Sequence, residues 1–276
     1  MQTPLAQAVA LICHANAALR GIPAPQFFPG NSTCQFCESI TFCVSGKPAD
    51  SEPQTAVFAD SPDAWMRLLP SRSAIGLKLR QQARNQPGIS DRNASGFVGG
   101  GRVWAIEVMR KGSVSEFWLY RWEVGDRNAP DRKIWHVSYG LVAVEPTRPA
   151  PLRSLEAITI DLCSALAAIR GFAEAQQCDN FVHCFDDALH AIDQPEADIG
   201  YHKDLYPAGS LAPQAVALLK AAQSSWVFGG MGSWNDMGFQ DKTQQDYERV
   251  SDHLFNLLTE AIEAAASSSS PASAQS

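Results

Sequence analysis

Between residues 102 and 144 the chain carries three runs, "RVWAIEVM", "SEFWLYRWEV" and "KIWHVSYGLVAV", each alternating with period two. Only turn residues separate them: "RKGSVS" suits a short hairpin and "GDRNAPDR" a longer one. Parallel pairing needs a crossover of a dozen or more residues. The three runs therefore form an antiparallel meander. One parity holds Trp104, Ile106 and Val108, then Trp118, Tyr120 and Trp122, then Trp135, Val137, Tyr139 and Leu141. The other mixes Val103, Ala105, Phe117 and Leu119 with Glu107, Arg121, Glu123, His136 and Ser138. Left in water, so aromatic a face would be a large sticky patch. The first expectation is that helices cover it as core, and the alternative is an open platform for bases or sugars.

The remaining chain supplies the cover. "EPTRPAPLR" at 145–153 ends the sheet region, and everything after it reads as helical: 154–176, 179–192, 213–225 and 243–266. An N-terminal helix over 4–20 has Thr3 as cap, Pro4 in its first turn, and Leu5, Val9, Ile12 and Leu19 on one face. A strand near 33–44, the short strand "TAVFA", a helix begun by Ser61 and Pro62 and interrupted by Pro70, a helix over 72–84 and an unstructured loop over 85–101 complete the reading. The expected fold is α+β: an antiparallel sheet of about five strands, with the meander at its centre, packed with the N-terminal helix and a C-terminal set of about four helices. Residues 1–150 and 151–266 are expected to form one cooperative unit. The low-complexity "SSSSPASAQS", within 267–276, is expected to be a disordered tail.

Charge divides unevenly. Residues 1–150 carry 16 Lys and Arg against 12 Asp and Glu, whereas residues 151–276 carry 6 against 17. Such asymmetry implies either two faces of opposite sign or two halves that attract each other. No apolar run approaches the ~20 residues of a membrane helix. "AVALIC" followed by "ANA" resembles a signal peptide, but no basic residue precedes it, so the stretch is read as helix. The cysteines, at 13, 34, 37, 43, 163, 178 and 184, are odd in number and point to a reducing, cytoplasmic setting. "CQFC" at 34–37 sits in a strand-like pattern that puts Cys34 and Cys37 on opposite faces, which argues against a metal clamp.

No serine-hydrolase elbow, Walker motif, kinase set or zinc-finger spacing is present. The expected function is therefore a non-catalytic binding or accessory protein working through a protein interface, with no cofactor. Its candidate docking site is the aromatic, glycine-rich "WVFGGMGSWNDMGF" at 226–239. This stretch reads as a buried structural corner between helices, as a docking loop, or, lacking GK(S/T) and GxGxxG, least well as a nucleotide loop. As a docking loop it would use Gly229, Gly230, Gly232, Trp234, Asn235 and Asp236 as contact residues, with Trp234 as exposed anchor. Trp226, coming off a helix end, is expected in the core. An alternative is a hydrolytic or metal-dependent enzyme. It would use His183, Asp186, Asp187 and His190, which share one face of a helix at i, i+3, i+4 and i+7. A third reading is nucleic-acid binding through the basic segment 72–102.

Overall fold

The computed structural model describes residues 1–46, 54–84, 86–97, 99–148 and 151–271. The chain is α+β, with a six-stranded mixed sheet in the order β2-β1-β6-β5-β4-β3. The strands are β1 Cys37–Gly46, β2 Gln54–Ala59, β3 Ala74–Gln82, β4 Val103–Arg110, β5 Val114–Val124 and β6 Trp135–Pro146. The helices are α1 Thr3–Leu19, α2 Pro62–Leu68, α3 Asp91–Ala94, α4 Leu155–Ala175, α5 Asp179–Asp193, α6 Pro213–Ser224 and α7 Asp241–Ser267. The meander β4-β5-β6 is antiparallel as expected, but β1 joins β6 in parallel, from Cys37 beside Trp135 to Val44 beside Leu141.

Two elements differ from expectation. Residues 72–84 form a strand, not a helix. In "GLKLRQ" the buried Leu77 and Leu79 alternate with Lys78 and Arg80, a period of two that the helical reading overrode. At "CQFC" the strand starts only at Cys37, after a 3-10 turn at Ser32–Cys34, and a bulge follows between Cys37 and Ser39. Both thiols are consequently buried, within 4.0 Å (Cys34) and 3.6 Å (Cys37) of Gln7 Nε2, not on opposite faces.

The aromatic face of the meander is core over most of its length. Trp104, Ile106, Val108, Trp118, Val137 and Tyr139 are all buried, while Trp122 and Trp135 at one end stay partly open. Helix α1 packs between this face and α7 and is buried without a break from Leu5 to Ala17. An amphipathic stripe underestimates it, because a helix enclosed on all sides is apolar all round.

The buried polar residues of α1 and α7 close the sheet's β3 edge. Asn16 acts as a strand neighbour would: its Nδ2 donates to Leu77 O (2.9 Å) and its Oδ1 accepts from Leu77 N–H (2.8 Å). Two residues on, Ser267 Oγ accepts from Leu79 N–H (3.0 Å), and Glu263, one turn earlier on α7, hydrogen-bonds Gln81. The unpaired backbone groups of an edge strand recur every second residue, and these side chains match that period. The serines expected in a disordered tail are part of the device. Ser267, Ser269 and Ser270 are buried, and Ser269 Oγ accepts from Asn16 Nδ2 (2.8 Å). Residues 272–276 lie outside the described residues.

Asn16→Ala strands a buried N–H and a buried C=O of Leu77, each costing about 1–3 kcal/mol. Urea unfolding should show Asn16→Ala about 2–5 kcal/mol less stable than the parent and Ser267→Ala about 1–3 kcal/mol less stable. Parent-like stability of Asn16→Ala would mean that the edge needs no closure.

Candidate functional site

The stretch 226–239 divides by depth. Trp234 is fully buried. Its Nε1 donates to Ser251 Oγ (2.7 Å), its carbonyl accepts from Tyr247 Oη (2.6 Å), and its ring packs among Phe181, Phe185 and Tyr247. The exposed-anchor expectation is thereby corrected, and so is its counterpart, since Trp226 is only partly buried. A buried indole is favoured where its ring N–H finds a partner, which Ser251 on α7 supplies for Trp234. Asn235 is also committed: its amide exchanges two hydrogen bonds of 3.1 Å with Arg92, to the backbone carbonyl and from Nη1. Asp236 accepts from the N–H of Gly232, a residue at φ +83°. Trp234 and Asn235 shape the loop from inside, whereas Gly230, Gly232 and Asp236 are exposed and Gly229 is half-buried.

The glycines explain each other. The segment 85–101, expected to lack structure, contains α3, and Arg92 anchors it. Arg92 is 2% exposed, pairs with Glu248 and Asp252 (2.7 Å to the latter), and lies over the Tyr247 ring. Gly96 then runs backbone to backbone against Gly229, and a Cβ on Gly96 would collide with Gly229 O. Two glycine-rich loops far apart in sequence thus form one wall, which only residues without side chains allow.

That wall bounds a cavity of about 330 Å³. The opposite wall is Trp122 at the end of β5 and Trp135 at the start of β6, whose rings meet edge to face at 5.8 Å. The first residues of α1, the turn 32–37 and the pair Tyr201–His202 complete it. Among the described residues, no Lys, Arg, Asp or Glu lines it. Its mouth is apolar: Phe36 is 38% exposed, Phe97 68% and Tyr201 74%, and Met231, next to Gly230, is fully exposed.

Beneath the mouth lies a polar relay. Asp204 accepts the N–H of Ser32 at Oδ2 (2.7 Å) and its hydroxyl at Oδ1, and Ser32 Oγ also meets His202 Nδ1 at 2.8 Å. The carboxylate can only accept, so the single hydroxyl proton goes to Asp204 and His202 donates from Nδ1–H. Ser32 is therefore a spacer between acid and imidazole, not a nucleophile facing a base. Burial holds His202 and His14 below the usual imidazole range, although the Asp204 charge opposes this at both. Burial raises the thiol of Cys34 to about 12 and that of Cys37, which lines the cavity, to about 11. Burial thus keeps both thiols protonated.

The other candidates stay apart from this site. His183, Asp187 and His190 are exposed on α5, and Asp186 is paired with Arg170 (2.5 Å). Among the described residues no group of three or more His, Cys, Asp or Glu is arranged to hold a metal ion. The basic segment spends much of its charge internally: Arg72 on Glu116, Arg80 on Glu107, and Arg92 on acids of the C-terminal half. Phe36, Phe97, Tyr201 and His202 escaped the sequence reading as site residues, and Trp122 and Trp135 entered it only within the alternative aromatic platform, because five separated segments bring the six together. The available signal was Phe97 and Tyr201, bulky aromatics inside glycine-rich or polar loops. No family model, curated protein or solved structure matches the chain.

Trp234→Ala should destabilise the protein by roughly 3–5 kcal/mol, as large core truncations do, and more than Trp226→Ala. Equal losses in denaturant titrations would contradict this placement. A pH dependence follows from His14 and His202, both titrating lower folded than unfolded. Below about 6.5 the unfolded chain binds more protons, so stability is full above that pH and is lost as pH falls through it toward the folded values. Thermal melts between pH 7.5 and 5 should show the decline, and His14→Phe should flatten it.

Proposed function

We propose that this chain is a non-catalytic binding protein that takes a short segment of another protein into the cavity between the two glycine loops and Trp122–Trp135. What carries the proposal is the rim. Four large apolar side chains, Phe36, Phe97, Tyr201 and Met231, stand in solvent around or beside one aromatic-walled cavity. Exposed apolar residues scattered singly need no explanation, whereas a cluster at a cavity mouth marks an interaction surface. The volume, about 330 Å³, is at the small end of ligand sites and suits one or two side chains, not a large cofactor. The glycine wall adds backbone groups at close approach, and a methionine at the edge adapts to an incoming surface.

The surroundings agree with this reading. No helix among the described residues is long and apolar enough to cross a membrane. All seven cysteines are free thiols, which suits a reducing, cytoplasmic setting. The relay at Ser32 and the protonated thiols offer no activated nucleophile.

The test is a rim variant carrying Phe97→Asp and Met231→Asp. Both side chains are exposed, so its melting temperature should stay within about 2 °C of the parent, as surface changes within ±0.5 kcal/mol imply. Photo-crosslinking from position 201, an exposed rim position untouched by these changes, in the native host should trap a partner with the parent protein and lose it in the variant. Undiminished capture by the variant would refute the rim as the interface.

A further inference from the structure

We infer that the cavity recognises an aromatic ring bearing a hydrogen-bond donor, the side chain of a tyrosine or tryptophan in the partner segment, with Nε2 of His202 as acceptor. This rests on the cavity being the binding site and names what enters it.

The imidazole is oriented by the relay. Because the Ser32 hydroxyl proton belongs to Asp204, the proton of neutral His202 sits on Nδ1 and its lone pair on Nε2. The relay is rigid. Asp204 is held by its backbone carbonyl as well, which accepts from Asn31 Nδ2 (2.8 Å) and from His14 Nε2 (3.0 Å). The His202 backbone N–H is tied to Gln223 Oε1 (2.8 Å). His202 is only 6% exposed and lines the cavity, yet Nε2 has no hydrogen-bond partner among the described residues. Nε2 is not among the buried polar atoms left without a partner, so it is an acceptor that solvent reaches and that a donor on a ligand can engage in place of water.

The walls decide what kind of donor. With no charged side chain among the described residues that line the cavity, an ammonium or guanidinium would lose its hydration against no carboxylate. A neutral O–H or N–H has no such cost. Trp122 and Trp135 present ring edges and faces at 66° to each other, and Tyr201 lies edge-on to His202 at 4.8 Å between centroids. Such surroundings favour a flat ring packed offset or edge to face. Phenol and indole combine that ring with one neutral donor.

The experiment uses side-chain analogues on the whole protein. p-Cresol and 4-methylanisole share size and ring, but only p-cresol has a donor; 3-methylindole and 1,3-dimethylindole form the second pair. Calorimetric titration should show each donor-bearing member binding at least about tenfold more tightly than its methylated partner, since sites built around a hydrogen bond reject analogues that lack it. The preference should vanish in His202→Phe and survive in His202→Gln, which keeps an acceptor. Should His202→Phe fail to fold, the imidazole nitrogens of the ¹⁵N-labelled parent give an independent readout: on addition of p-cresol only the Nε2 resonance should move to a hydrogen-bonded position. Equal affinity within each pair overturns the donor inference and leaves the cavity standing as an aromatic site. Binding of none of the four at millimolar concentration overturns both. A preference for the indole pair alone assigns tryptophan, and for the cresol pair alone tyrosine.

Discussion

In α1 every residue from Leu5 to Ala17 is buried, so a polar side chain there must find its hydrogen bonds inside the protein. Three do, and each fixes a different element. Gln7 donates to Thr33 O (3.2 Å) and accepts from Tyr139 Oη (3.1 Å), setting the 32–34 turn and the start of β1 against β6. His14 holds the carbonyl of Asp204, and Asn16 holds the β3 edge. An apolar helix of the same length could be buried in several rotations. These three residues favour the one that pairs the amides of Gln7 and Asn16 and Nε2 of His14, although His14 Nδ1 stays buried without a hydrogen-bond partner among the described residues.

The cavity inherits its shape from that arrangement. The turn that Gln7 fixes carries Ser32, and the carbonyl that His14 holds belongs to the residue that carries the relay's carboxylate. The recognition surface is therefore set by the core. The glycine loops, by contrast, are set by Arg92, whose buried guanidinium ties the α3 segment to α7 and to Asn235. Taking a guanidinium out of water is worthwhile only where several acceptors replace the solvent. Here two carboxylates and an amide do so.

The meander and the four C-terminal helices were legible because long periodic segments report their own state. Trp118, Tyr120 and Trp122 on one parity, or Leu254, Leu258 and Ala261 on one helical stripe, need no knowledge of distant residues. The strand at 74–82 was misread because its pattern is short and interrupted by Gly76, and because its edge is satisfied by side chains 61 and 188 residues away. The parallel pairing of β1 with β6 was invisible for the same reason, since no local signal names a partner across about a hundred residues. At the site, Gly229 and Gly230 were legible as unusual backbone. That Gly96 is their counterpart was not, because close approach is a property of two segments. Trp234 was misplaced because a sequence gives the identity of an indole without showing Ser251 beneath it.

The closure of β3 has a bearing on how the chain is made. Leu79 receives its backbone acceptor from Ser267, so 188 residues must be synthesised after the strand before its outer edge is covered. Throughout that interval Asn16 can already cover Leu77, but the backbone of Leu79 stays open, a point at which another extended chain can pair. Loss of the end of α7 should therefore show itself less in the shape of finished molecules than in their number, with nascent chains diverted to chaperones or insoluble assemblies before the recognition surface exists.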